Sequence, residues 1–198
     1  MNAARLFYVM GESGAGKDSL LAYARERIAT GGERDGERNG KRCPVLFAHR
    51  YITRAPTADG ENHVALSADE FTLRHALGCF ALDWDSHGCR YGIGVEIDAW
   101  LAAGANVVMN GSRAFLARAV ARYPERLSLV EIRVDAEVRA ARLASRGRET
   151  GDALDARVAH RVQWTPPEGV PLDVIENNGT LAQAGDRLVA VLTGGAGG

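Results

Sequence analysis

The chain has 198 residues, 46% of them hydrophobic and 25% charged, a balance that excludes a disordered or collagen-like polymer and suits a single domain. Its 24 basic and 25 acidic residues leave a net charge of −1, so bulk charge offers nothing to nucleic acid or to an anionic membrane. Three cysteines without metal-ligand spacing, Cys43, Cys79 and Cys89, suggest reduced thiols in a cytoplasmic protein. Met1 to Met10 lacks the pattern of a signal peptide, and no segment approaches 18 apolar residues. Only Lys17 and Lys41 are lysines; the other basic residues are arginines.

Leu6 to Met10 is a continuous apolar run ending in Gly11, as expected of a strand buried on both faces. A helix is predicted from Lys17 to Ala29. Thr30 to Arg42 has no aliphatic residue and reads as a solvated, mobile loop. Val45 to Ala48 reads as a strand, and Ser67-Ala68-Asp69-Glu70 is a capping box opening a helix through Ala76. Helices over Val95–Ala103, Arg113–Arg122, Asp135–Arg146 and Asp152–Gln163 alternate with strands over Ala105–Met109, Leu127–Val134 and Leu172–Ile175. Thr180 caps a final helix to Leu192. The alternation predicts an α/β fold with a central parallel sheet flanked by helices.

Between the first strand and the first helix lies Gly11-Glu12-Ser13-Gly14-Ala15-Gly16-Lys17-Asp18. It fits the phosphate-binding pattern G-x-x-x-x-G-K, with Asp18 where a hydroxyl is usual. Glycines let successive N–H groups converge on phosphate oxygens, and the helix N-terminus adds its dipole. Lys17 supplies a compact charge for the β- and γ-phosphates. Asp18 offers two readings of equal weight: a hard oxygen ligand for Mg²⁺, or a first-turn anion on the helix with Ser19 serving the metal.

These residues, with Thr53-Arg54-Ala55-Pro56, Gly60-Glu61, Tyr91-Gly92 and Arg142-Leu143-x-x-Arg146-Gly147, resemble guanylate kinase-like P-loop kinases. His49 to Arg54, Gly60 to His63, Tyr91 to Asp98 and Asn110-Gly111-Ser112-Arg113 resemble the ribose 1,5-bisphosphate phosphokinase family more closely. That resemblance spans nearly the whole chain and makes Asp18 an expected residue. It implies the P-loop NTPase fold of the nucleoside monophosphate kinase type, in which ATP phosphorylates the 1-phosphate of ribose 1,5-bisphosphate to 5-phosphoribosyl 1-diphosphate. Glu12 departs from the proline usual there, and its side chain is expected to point to solvent.

From the resemblance follow the expected roles. ATP is held by Gly11 to Ser19 and by Asn177 beside the adenine, although Asn177-Asn178-Gly179 is equally a plain turn. Asp18 is the expected Mg²⁺ ligand. Lys17, Arg142, Arg146 and Arg157 neutralise the transferring phosphate. Arg54 and Tyr91 take the acceptor phosphate, Glu61 and Asp83 the sugar, and Arg50 a distal 5-phosphate. Arg139, Arg142 and Arg146 share one helix face. The resemblance implies one kinase domain over 1–193, with a core of about 1–49 and 92–193, an acceptor lobe over 50–91 and a lid over 139–160. The tail 194–198 is expected to be disordered and the protein a monomer or homodimer.

Thr57, Asn110 and His63 stand where guanylate kinases place an arginine, an aspartate and a tyrosine, so the acceptor site looks rebuilt. A guanylate kinase acting on GMP is the alternative within the same chemistry. A catalytically dead guanylate-kinase-like binding module is the alternative from another class. Such modules typically lose the loop lysine or the lid arginines, which this chain retains.

Overall fold

The structure, a computed structural model, describes residues 4–30, 35–38, 41–55, 63–86, 88–145 and 164–194. A central sheet has the order β10-β9-β1-β8-β3-β2. It comprises β1 (Leu6–Gly11), β2 (Asp35–Arg38), β3 (Lys41–Phe47), β8 (Asn106–Asn110), β9 (Leu127–Arg133) and β10 (Leu172–Glu176). Five of these strands run parallel, with Leu6 in register with both Val107 and Leu127.

The unbroken apolar run of β1 follows from burial on both faces. Leu6, Tyr8 and Met10 enter a core with Met109, Leu129, Ile97, Leu101 and Leu116. Phe7 and Val9 point the other way, toward Leu20, Ala24, Ile28, Ile175 and Leu188. The second face is covered by α1 (Lys17–Thr30) and α6 (Leu181–Thr193). Thr180 caps α6 as predicted, and with Gln183 it closes a capping box. The first face takes α3 (Glu96–Ala102) and α4 (Leu116–Arg122). A single 3₁₀ turn, Arg113–Phe115, begins the helical segment predicted from Arg113.

A second sheet, β5-β4-β7-β6, is built from β4 (Arg50–Ile52), β5 (His63–Ala65), β6 (Phe80–Ser86) and β7 (Cys89–Gly94). Its Ile52, Leu82, Trp84, Tyr91 and Ile93 join the first core. Its other face receives α2 (Ala68–Ala76), whose Phe71 stacks on Phe80 at 4.6 Å. The Ser67 hydroxyl accepts from the Glu70 N–H, as its sequence predicts.

Part of the span predicted as a loop, Thr30 to Arg42, is strand instead: Asp35–Arg38 pairs antiparallel with the start of β3, Arg38 opposite Lys41, while 31–34 and 39–40 lie outside the described residues. An edge ladder satisfies backbone groups without an apolar pattern. Helix α5 (Ala136–Ser145) begins the predicted lid. The rest of that lid and the predicted helix over Asp152–Gln163 lie outside the described residues.

Candidate active site

The loop Gly11–Asp18 leaves the C-terminal end of β1 and enters α1. Gly14 and Gly16 hold φ of 86° and 85°, backbone that L side chains rarely adopt. Space is short as well. A Cβ on Gly16 would stand 2.6 Å from Asn177 Nδ2 and 3.6 Å from Arg142 Nη1. One on Gly14 would stand 2.9 Å from Leu143 Cγ, so α5 lies directly against the loop. The Asn177 amide, 3% exposed, donates to the Ala15 carbonyl at 2.8 Å. It fastens the loop in this arrangement.

Lys17 Nζ curls back to donate to the carbonyls of Gly11 (2.8 Å) and Glu12 (3.1 Å). This places its charge across the mouth of the loop, where phosphate would be. Ser13 lies in the turn that follows β1, and Ser19 is exposed on the first turn of α1.

Asp18 Oδ1 accepts from Asn110 Nδ2 at 2.7 Å and from Arg50 Nη2 at 3.2 Å. Asn110 ends β8, beside β1, and Arg50 begins β4, so this cluster joins the two sheets at the head of α1. The Asn110 carbonyl oxygen is buried and has no hydrogen-bond partner among the described residues. The three residues line a small open cleft between α1 and the ends of β3 and β8. Arg50, the residue expected at a distal 5-phosphate, sits on Asp18, beside the loop.

Tyr91 is buried and stacks on Trp84 at 5.5 Å with rings nearly parallel. It pairs with Ile52, and Arg50 pairs with Ile93, which places Arg50 and Tyr91 on one face of the second sheet. Arg54 follows just beyond the end of β4, past Thr53, whose N–H donates to the Arg90 carbonyl. Asp83 pairs with Gly92, one step off, and therefore faces the opposite side. There Arg118 holds it at 3.4 Å and His75 lies 3.7 Å away. The structure thus does not bring Asp83 together with Arg50 and Tyr91. Glu61, Arg146 and Arg157 lie outside the described residues.

Glu12 does not point to solvent. Its carboxylate is bonded to Arg139 through Oε2, and Oε1 lies 3.4 Å from Arg113. Arg113 in turn binds Glu131 at 2.7 Å, and Glu131, 2% exposed, also takes Arg133 at 2.8 Å and the Trp164 indole N–H at 3.0 Å. A close approach fixes the turn carrying Arg113: the Tyr8 ring occupies the place of a Gly111 side chain. The Tyr8 hydroxyl donates to the Ser112 carbonyl at 2.8 Å and accepts from its N–H at 3.0 Å. Burial pushes the Tyr8 phenol up to about 12, against the lowering effect of the Ser112 backbone bond.

The chain is 55% identical over 195 residues to ribose 1,5-bisphosphate phosphokinase PhnN of Burkholderia pseudomallei, covering 98% of each. It is 53% identical over 193 residues to the protein of the same name from Thiobacillus denitrificans, covering 98% of this chain and 95% of that one. The chain belongs to the ribose 1,5-bisphosphate phosphokinase family. No protein-family model matches it. Among solved structures, guanylate kinase from Anaplasma phagocytophilum is similar with a TM-score of 0.63 and 14% identity, covering 98% of this chain and 88% of that chain. Identity that low speaks for the fold alone, and the fold is that of a P-loop kinase.

For this member of the phosphokinase family, sequence reasoning missed Glu12, Arg113 and Glu131 as a connected set. Glu131 did carry a signal. It is the one acid in Leu127–Arg133, otherwise an apolar strand, and a carboxylate buried there needs cationic partners.

Proposed function

We propose that this chain transfers the γ-phosphoryl group of ATP to the 1-phosphate of ribose 1,5-bisphosphate, giving 5-phosphoribosyl 1-diphosphate and ADP. The observation that carries the reading is 55% identity across 98% of the chain to a protein named for that substrate. The loop geometry supports it chemically, since it combines two left-handed glycines, a helix N-terminus and Lys17.

In this reading Gly11 to Ser19 hold the ATP phosphates, and Lys17 exchanges its loop carbonyls for the β/γ-oxygens. The Arg142 guanidinium, beside Gly16, neutralises charge as the phosphoryl group moves, with Arg146 and Arg157. Arg54 and Tyr91 orient the acceptor 1-phosphate, and Glu61 contacts the sugar. Arg50 screens the acceptor from Asp18. The attacking oxygen is anionic at neutral pH, so positioning does the work and no general base is needed.

The donors beside the loop fit Mg²⁺, a cation of hard oxygen ligands that keeps several waters. The Asp18 carboxylate and the buried Asn110 side-chain oxygen, which has no hydrogen-bond partner among the described residues, would hold it directly or through water. When bound, Mg²⁺ offsets charge on the β- and γ-phosphates.

No helix among the described residues is long and apolar enough to cross a membrane, and Cys43, Cys79 and Cys89 are free thiols. The free thiols fit a cytoplasmic enzyme, and the small phosphosugar substrate is read from the relatives' name. Incubation with Mg-ATP and either ribose 1,5-bisphosphate or GMP, followed by product separation, tests the reading. Diphosphate product from the sugar alone supports it; turnover of GMP alone replaces it with guanylate kinase.

A further inference from the structure

A loop built to collect anions carries an anion of its own. Glu12, second residue of that loop, would oppose ATP phosphates unless its charge were cancelled. Two arginines cancel it: Arg113 at 3.4 Å, and Arg139, bonded to Oε2 and 1% exposed. A cation buried so completely is costly without a partner, so Arg139 and the helix bearing it are bound to the position of Glu12.

That helix is α5, and the neighbours of Arg139 on it touch the loop. Leu143, four residues on, packs at Gly14, and Arg142 Nη1 stands by Gly16. The same acid–base chain continues through Arg113 to Glu131 and the Trp164 indole. It therefore holds residues on both sides of the sequence stretch that contains Arg146 and Arg157.

We infer that Glu12 is a positioning residue, which fastens α5 to the phosphate loop through Arg139 and thereby sets Arg142 over Gly16. The inference rests on the proposed role of Arg142 at the nucleotide phosphates. Loss of the Glu12 charge leaves the loop intact but lets α5 and Arg142 shift, a displacement worth about tenfold to a hundredfold in kcat.

The test is steady-state kinetics on the full chain for Glu12→Gln, Glu12→Asp, Arg142→Ala and the double variant Glu12→Gln/Arg142→Ala, with hydrogen exchange across α5. Glu12→Gln should lower kcat by about tenfold or more while KM for ribose 1,5-bisphosphate moves less than about threefold. Glu12→Asp, which keeps the charge, should recover most of that loss. In the Arg142→Ala background, Glu12→Gln should cost almost nothing further, because its effect passes through Arg142. Amides of α5 should exchange about tenfold faster in Glu12→Gln than in the parent.

Full multiplication of the two effects, or unchanged exchange in α5, overturns the inference and leaves the role of Arg142 standing. Parental activity in Arg142→Ala overturns both that role and the inference. If Glu12→Gln does not fold, the exchanged pair Glu12→Arg/Arg139→Glu replaces it: recovery of activity over Arg139→Glu alone supports the link, and none overturns it.

Discussion

Arg50 Nη2 lies 3.2 Å from Asp18 Oδ1, which joins the first strand of the smaller sheet to the start of the helix that follows the phosphate loop. Arg50 is largely buried and Asp18 about one-third exposed, so the pair sits at the edge of the cleft beside the phosphate loop. Its position argues that Arg50 acts on every acceptor. Arg50→Ala should lower kcat/KM for ribose 1,5-bisphosphate and for a slower acceptor lacking the 5-phosphate by similar factors. A charge-assisted contact of about 1.5–3 kcal/mol corresponds to roughly tenfold to a hundredfold. A loss confined to the bisphosphate would return Arg50 to the distal phosphate.

Lys17 is the cation that the loop already gathers in, bonded to the Gly11 and Glu12 carbonyls. Lys17→Ala should reduce turnover by about two orders of magnitude or more, with the fold kept. Lys17→Arg should fail as well, since a planar guanidinium does not fit a pocket shaped for an ammonium. Single-turnover transfer from labelled ATP measures both, and near-parental rates would remove the loop from the mechanism.

For Asp18 the expected effect is on metal dependence. Asp18→Ala should raise the Mg²⁺ concentration at half-maximal rate more than it weakens metal-free nucleotide binding. Asp18→Ser, which restores a hydroxyl, should be partly active. An unchanged Mg²⁺ titration in Asp18→Ala would leave the carboxylate as the partner of Arg50 and Asn110 only.

Gly16→Ala combines strain at φ 85° with a Cβ 2.6 Å from the Asn177 amide. The substitution should cost about 1–3 kcal/mol of stability and abolish nucleotide binding. Asn177→Ala should weaken nucleotide binding by releasing the Ala15 carbonyl, without comparable loss of stability. Calorimetric melting and nucleotide titration separate the two effects, and normal binding in both variants would refute the loop assignment.

Alkaline stability follows from two buried phenols. Burial lifts Tyr8 to about 12, and burial with the Asp98 hydrogen bond lifts Tyr123 to about 12. The folded pKa is raised, so the unfolded chain loses these protons first. The stability they contribute is complete below about pH 10 and is lost as pH rises toward 12. Tyr123→Phe should flatten the fall in denaturation midpoint across that window, measured by urea titration. An equally steep fall in the variant would remove Tyr123 from the account.

Periodicity and residue type made the parallel core legible. The apolar runs of β1, β8 and β9 stand out because both of their faces are buried, and the capping residues Ser67 and Thr180 mark helix starts locally. The loop was legible for the same local reason, since its glycines and lysine act through backbone conformation and charge within eight residues. Which side chains meet across the chain was not legible. Glu12 finds Arg139, 127 positions away, and Asp18 finds Asn110, 92 positions away, only after β1 and β8 pair and α5 comes to rest on the loop. Asp83 and Tyr91 show the same limit in reverse: similar in sequence neighbourhood, they are separated onto two faces by the register of β6 on β7. Local signals specify elements because hydrogen bonding and solvation act over a few residues. Partners at a site depend on how those elements dock, which is decided by packing of the whole core.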